Sequence, residues 1–73
     1  MTSNANWVST DGITYVNTRS FPGFALRVSP ALWGRRWDVM YADCDTIFLQ
    51  TNFSRTVELA QEAAERWADE NLP

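Results

Sequence analysis

The residue types that most often carry chemistry are sparse in this chain of 73 residues, which has no histidine, no lysine and a single thiol, Cys44. Cys44 lies between Asp43 and Asp45. Two neighbouring carboxylates disfavour the thiolate, so the pattern argues against a nucleophilic cysteine. Asp43 and Asp45, with Asp38 close by, resemble the opening of a calcium loop. The glycine at the sixth position and the closing glutamate of that loop are missing, so they read as ordinary turn aspartates. A paired-carboxylate hydrolase needs two acids in a cleft, and a chain this short offers little concave volume. A structural zinc site would lack its usual ligands. The expectation is therefore a protein that is not an enzyme and needs no cofactor or metal.

What stands out instead is "ALWGRRWDVMY", residues 31–41, which holds two of the four tryptophans and two adjacent arginines in a chain of net charge −3. Arg, Met and aromatic residues are the types enriched at protein interfaces. The candidate partner-binding residues are Trp33, Arg35, Arg36, Met40 and Arg27. Trp37, alternating with Val39 and Tyr41, reads as core. Trp33 falls in the connection between Pro30 and Gly34, where a large aromatic either folds back over the sheet edge or meets a partner. The acidic total disfavours a nucleic-acid backbone as ligand.

These residues need a scaffold, and length and composition restrict it. The chain has room for one hydrophobic core, so residues 1–73 form a single domain, with residues 1–5 expected to be disordered. Hydrophobic residues make up 45% of it, with four Trp, four Phe and two Tyr. That is enough apolar material to fold, although domains of this size gain little net stability from the core alone and often add oligomerisation. No basic-then-apolar leader and no apolar run of bilayer-spanning length are present, and the lone cysteine suits a reducing compartment, so the expected location is cytoplasmic.

Periodicity supplies the elements. Asp11-Gly12 is a favoured hairpin dipeptide between β-prone pieces around Trp7-Val8 and Ile13 to Val16. After the turn signal Pro22-Gly23, Phe24, Leu26 and Val28 alternate with Ala25, Arg27 and Ser29 as in a half-buried strand. The next strand, about Arg35 to Ala42, sends Trp37, Val39 and Tyr41 to one face and Arg36, Asp38 and Met40 to the other. "TIFLQT" is a short last strand, with either Ile47 and Leu49 or Phe48 facing inward. From 54 to about 71 the period becomes helical. Val57, Ala60, Ala64, Trp67 and Ala68 share a stripe, Ser54 is the expected N-cap, and Glu62 and Arg66 are spaced as an i, i+4 pair. Leu59 falls near the polar side.

Short connections favour antiparallel neighbours, so the predicted fold is α+β: a four- or five-stranded antiparallel β-meander with one C-terminal helix packed on one face. One helix cannot shield both faces of a sheet. The uncovered face would show Arg27, Arg36, Asp38 and Met40, joined by Phe48 if Ile47 and Leu49 are the inward pair, for a protein partner or a second copy of the chain.

The series Trp7, Gly12, Tyr15, "LRVSP", "WDVMY" and "TVELAQEAAERWA" resembles the small accessory proteins encoded by phages and prophages of actinobacteria. That resemblance implies a modulator or inhibitor acting by binding a host protein. Trp67, Asp69 and the terminal Pro73 are also similar to the MbtH-like proteins that bind adenylating enzymes. The chain departs from that family in its extra "TIFLQT" segment, in "ALWG" where the family has "SLWP", and in Leu72-Pro73 where the family ends on Arg-Pro.

Overall fold

A computed structural model describes residues 6–73, with all their side chains except those of residues 45 and 46. The expected disorder of residues 1–5 lies outside the described residues. Strands β1 (Tyr15–Asn17), β2 (Phe24–Pro30), β3 (Arg35–Tyr41) and β4 (Cys44–Ser54) precede helix α1 (Val57–Asn71). The strands form one antiparallel sheet in the order β1-β2-β3-β4, with the helix packed against it, as the periodicity predicts.

The first hairpin is shorter than expected. Asp11 accepts the backbone N–H groups of both Ile13 and Thr14, at 2.8 and 2.9 Å, and so removes them from any ladder. The piece around Trp7-Val8 is reduced to a single two-way bridge between Val8 and Val16. Among the described residues the sheet accordingly has four strands. The next turn is organised by Asn17, a buried side chain whose Oδ1 accepts the amides of Arg19 and Ser20.

Leu26 and Val28 of β2 pair in register with Val39 and Trp37 of β3, and all four side chains enter the core. Against them lie Ala60, Ala64 and Ala68, each wholly buried. Their spacing of four puts three methyl-sized side chains in one row of the helix, so its axis can come close to the sheet. Trp7 closes one side of the cluster and donates its indole N–H to Glu65. Trp67 packs on the cluster's margin, half-buried. Tyr41 departs from its expected core role: it is exposed, and its ring stacks on Phe24 at 5.6 Å between centroids.

The largest departures concern β4 and the start of α1. The last strand runs over Cys44–Ser54, well beyond "TIFLQT", because its pairing with β3 continues to Arg35↔Ser54. Ser54 is therefore a strand residue, and the N-cap is Thr56, whose hydroxyl accepts the Leu59 amide. The ladder shifts register between Val39↔Gln50 and Met40↔Phe48, which leaves Leu49 as an extra residue in a β-bulge. Phe48 consequently lies on the face away from the helix while Leu49 packs on the core. Among the described residues no helix is long and apolar enough to cross a membrane.

Two measurements check this description. Trp37→Ala removes a buried indole at the centre of the cluster and is expected to cost about 3–5 kcal/mol, seen as loss of the cooperative urea transition; a transition shifted only slightly would place Trp37 outside the core. The N–H groups of Thr14 and Ile13 stabilise the Asp11 carboxylate and hold its pKa below the ordinary 3.8. The stabilising effect of that group is then complete above the ordinary value and fades as pH falls through the depressed one. An NMR titration is expected to place the Asp11 midpoint below 3.8, and a midpoint at or above it would contradict the turn geometry.

Candidate interaction surface

The face of the sheet away from the helix is organised by one carboxylate. Asp38 stands opposite Arg27 on β2 and Thr51 on β4, and Arg36 lies two positions earlier on its own strand. All three converge on it. Arg27 Nη2 donates to Oδ2 at 3.2 Å, Arg36 Nε to Oδ1 at 2.9 Å and Thr51 Oγ1 to Oδ1 at 2.8 Å. Asp38 is 0% exposed. The Phe48 ring, placed on this face by the bulge, lies under both guanidinium groups at 5.6 and 5.2 Å. The result is a plate of ion pairs and cation–π contacts that closes the sheet face where no helix covers it.

This arrangement redefines several of the candidate residues. Arg27 and Arg36 share one carboxylate, so together they present a single net positive charge and remain about one-third exposed, at 32% and 38% of the side chain. Met40 is only 4% exposed and offers a partner almost no area, because Phe48 pairs across from it on the same face. Arg35 has the parity of Trp37 and is half-buried, with Nη1 donating to the carbonyl of Gly34. Glu62 and Arg66 line one groove without forming an ion pair.

Trp33 is the candidate that the structure leaves free, at 61% exposed. Its position follows from Gly34, whose φ is +65° and whose position would put an added Cβ 2.3 Å from the Ser54 carbonyl oxygen. Only glycine tolerates both the left-handed backbone and the close approach. The connection between β2 and β3 is thereby pressed against the junction of β4 and α1, with Trp33 projecting beside Leu59 of the helix. Trp33 forms a wall of two shallow grooves. One, of about 590 Å³, is lined by Pro30, Ala31, Leu32, Trp33, Arg36 and Phe53. The other, of about 320 Å³, runs between Trp33 and the helix, past Leu59 and Ala63, with Arg55, Arg66 and Glu62 at its rim.

Leu32, Trp33, Phe53 and Leu59 thus form one exposed apolar patch drawn from three separate segments, and Arg36, Arg55 and Arg66 surround it. Leu59 had a sequence signal, since it breaks the helical stripe. Phe53 had none, because its exposure depends on where β4 ends. Among the described residues, no three histidine, cysteine or acidic side chains gather as a metal-binding cluster. Compared with known protein families, curated proteins and solved structures, the chain matches none of them.

Two substitutions test the geometry of this surface. Gly34→Ala is expected to lower the melting temperature by more than ordinary loop substitutions, since the new methyl group and the Ser54 carbonyl cannot both keep their places. Asp38→Asn should destabilise by about 1–3 kcal/mol, because two arginines then lose the one carboxylate they share among the described residues; an unchanged melt would show the plate to be dispensable.

Proposed function

We propose that this protein is a small protein-binding module that acts by covering a surface of its partner, with no chemistry of its own. The observation that carries the reading is the apolar patch of Leu32, Trp33, Phe53 and Leu59. Four large hydrophobic side chains from three segments are held at one end of the domain, and the core is complete without them. Contiguous exposed apolar area with a polar rim is characteristic of interaction sites, and Trp is among the residues that most often dominate binding energy. Around the patch Arg55 and Arg66 outnumber Glu62, and Arg36 is partly committed to Asp38, so the rim carries a small positive excess in a chain that is acidic overall, which favours a partner with an acidic surface.

The resemblance to accessory proteins of actinobacterial phages supports a host protein as that partner, bound in the host cytoplasm and inhibited or redirected by occlusion. Of the residues expected to make contact, Trp33 is the anchor in this reading. Arg36 serves at the rim, Arg35 lies next to Gly34 at the start of β3, and Arg27 and Met40 line neither groove and make no contact in this reading.

Trp33→Ala and Leu59→Ala are the discriminating variants, since both side chains are exposed and their removal should leave the melting temperature within a few degrees of wild type. Arg36→Glu is a poorer probe, because it would set a second acid against buried Asp38. Tagged protein is incubated with an actinobacterial lysate and retained proteins are identified by mass spectrometry. The expected outcome is a protein held by the wild type and lost with both variants, with an affinity loss of about 30-fold or more for Trp33→Ala once the partner is purified. Identical capture by all three proteins, or recovery of the bait alone, would overturn the reading.

A further inference from the structure

The sheet has two edges, and they are unequally protected. On the β1 side the edge strand is three residues long, and its outer side is occupied by the two-way bridge from Val8. On the other side β4 is eleven residues long and has no further strand beside it among the described residues. Residues 46–54, "TIFLQTNFS", run for nine positions without a charged residue or proline. Native proteins usually blunt such an edge with lysine, proline, an inward-pointing charge or a covering loop. Among the described residues the devices here are the bulge at Leu49 and a second irregularity between Phe48 and Cys44, and Ile47, Phe48 and Phe53 remain exposed along the strand.

The geometry points to a second copy of this chain as the occupant of the β4 edge, joined by antiparallel β4–β4 pairing about a two-fold axis between Leu49 and Gln50. Three features of the strand favour a copy of itself over another occupant. The first is charge. The run of residues 46–53 meets the same run of its copy with no charged side chain on either strand, while Asp43 and Asp45 precede it and exposed Arg55 lies two residues beyond it. Antiparallel pairing brings Arg55 of each copy opposite Cys44 of the other, one residue from Asp43, so opposite charges meet at both ends.

The second feature is the bulge. Phe48 and Thr51 are an odd number of positions apart, yet the pairings Met40↔Phe48 and Asp38↔Thr51 put both on the face away from the helix. In this register each Phe48 stands opposite the other copy's Thr51, and both lie on the same face, as antiparallel partners must. The third feature is closure. Because β1 is three residues long and bridged by Val8, β4 is the longest open edge of each copy among the described residues, and pairing through it about a two-fold axis stops at a dimer, with no continuing fibre. The bulge interrupts the ladder at its centre, so the association is weak and visible in the micromolar range. This inference goes beyond the binding reading above and does not depend on it: Asn52 and Asp43 line neither groove beside Trp33.

Sedimentation velocity across a wide concentration range tests it. The wild-type mass is expected to rise from 8.4 kDa toward twice that value and stop there. Asn52→Lys, an exposed edge position given a charge, should hold the protein at monomer mass with an unchanged circular dichroism spectrum. Arg55→Asp and Asp43→Arg should each weaken the dimer by about threefold to tenfold, and the two together should restore it. Trp33→Ala should leave the mass profile untouched. A wild type that stays at 8.4 kDa, a mass that climbs past the dimer, or a double variant no better than the singles would overturn the proposal.

Discussion

One helix lies on a four-stranded sheet, and it can cover only one of the two faces. Everything distinctive in the molecule follows from how the other face and the edges are treated. The covered face is conventional: aliphatic and indole side chains from β2 and β3 meet three buried alanines, and the small helical row sets the spacing between layers. The uncovered face cannot be apolar, since water would contact it. It cannot be loosely polar either, because backbone and side chains at the sheet centre are still shielded by their neighbours. The chain resolves this with Asp38. Three donors on three strands satisfy its carboxylate, and the arginines that do so lie over an aromatic ring.

That plate has a consequence for recognition. Arginines that look available in the sequence are partly committed to a buried acid, and the net charge they present is half of their number. The surface with unspent interaction capacity lies at the end of the sheet, where the β2–β3 connection, the end of β4 and the first turns of α1 meet. Gly34 makes this meeting possible through its backbone conformation and its missing Cβ, and Trp33 is displayed as a result. The apolar patch and the open β4 edge are neighbours through Phe53 and Arg55.

Much of this was legible in the residues alone. The alternation of β2 and β3, the two faces of each, the single helix and its alanine stripe all follow from period-two and period-3.6 patterning, which reflects burial directly. Leu59 and Trp33 were visible as apolar residues out of pattern. Met40 was misleading, because its type suits an interface but its burial depends on which residue of β4 pairs across from it. Phe48 and Phe53 were equally ambiguous, since a bulge exchanges the faces of every residue beyond it without changing the sequence pattern of the strand.

The sequence by itself determined the class of fold, the division of each strand into two faces and the lack of histidine and lysine, because these depend only on residue type and spacing. Tertiary structure decided the rest. It set the length of β4, the start of α1 at Thr56, the gathering of Arg27, Arg36 and Thr51 on Asp38, and the union of Leu32, Trp33, Phe53 and Leu59 into one patch. Each of these turns on strand register and on contacts between residues far apart in the chain, and no local pattern carries that information.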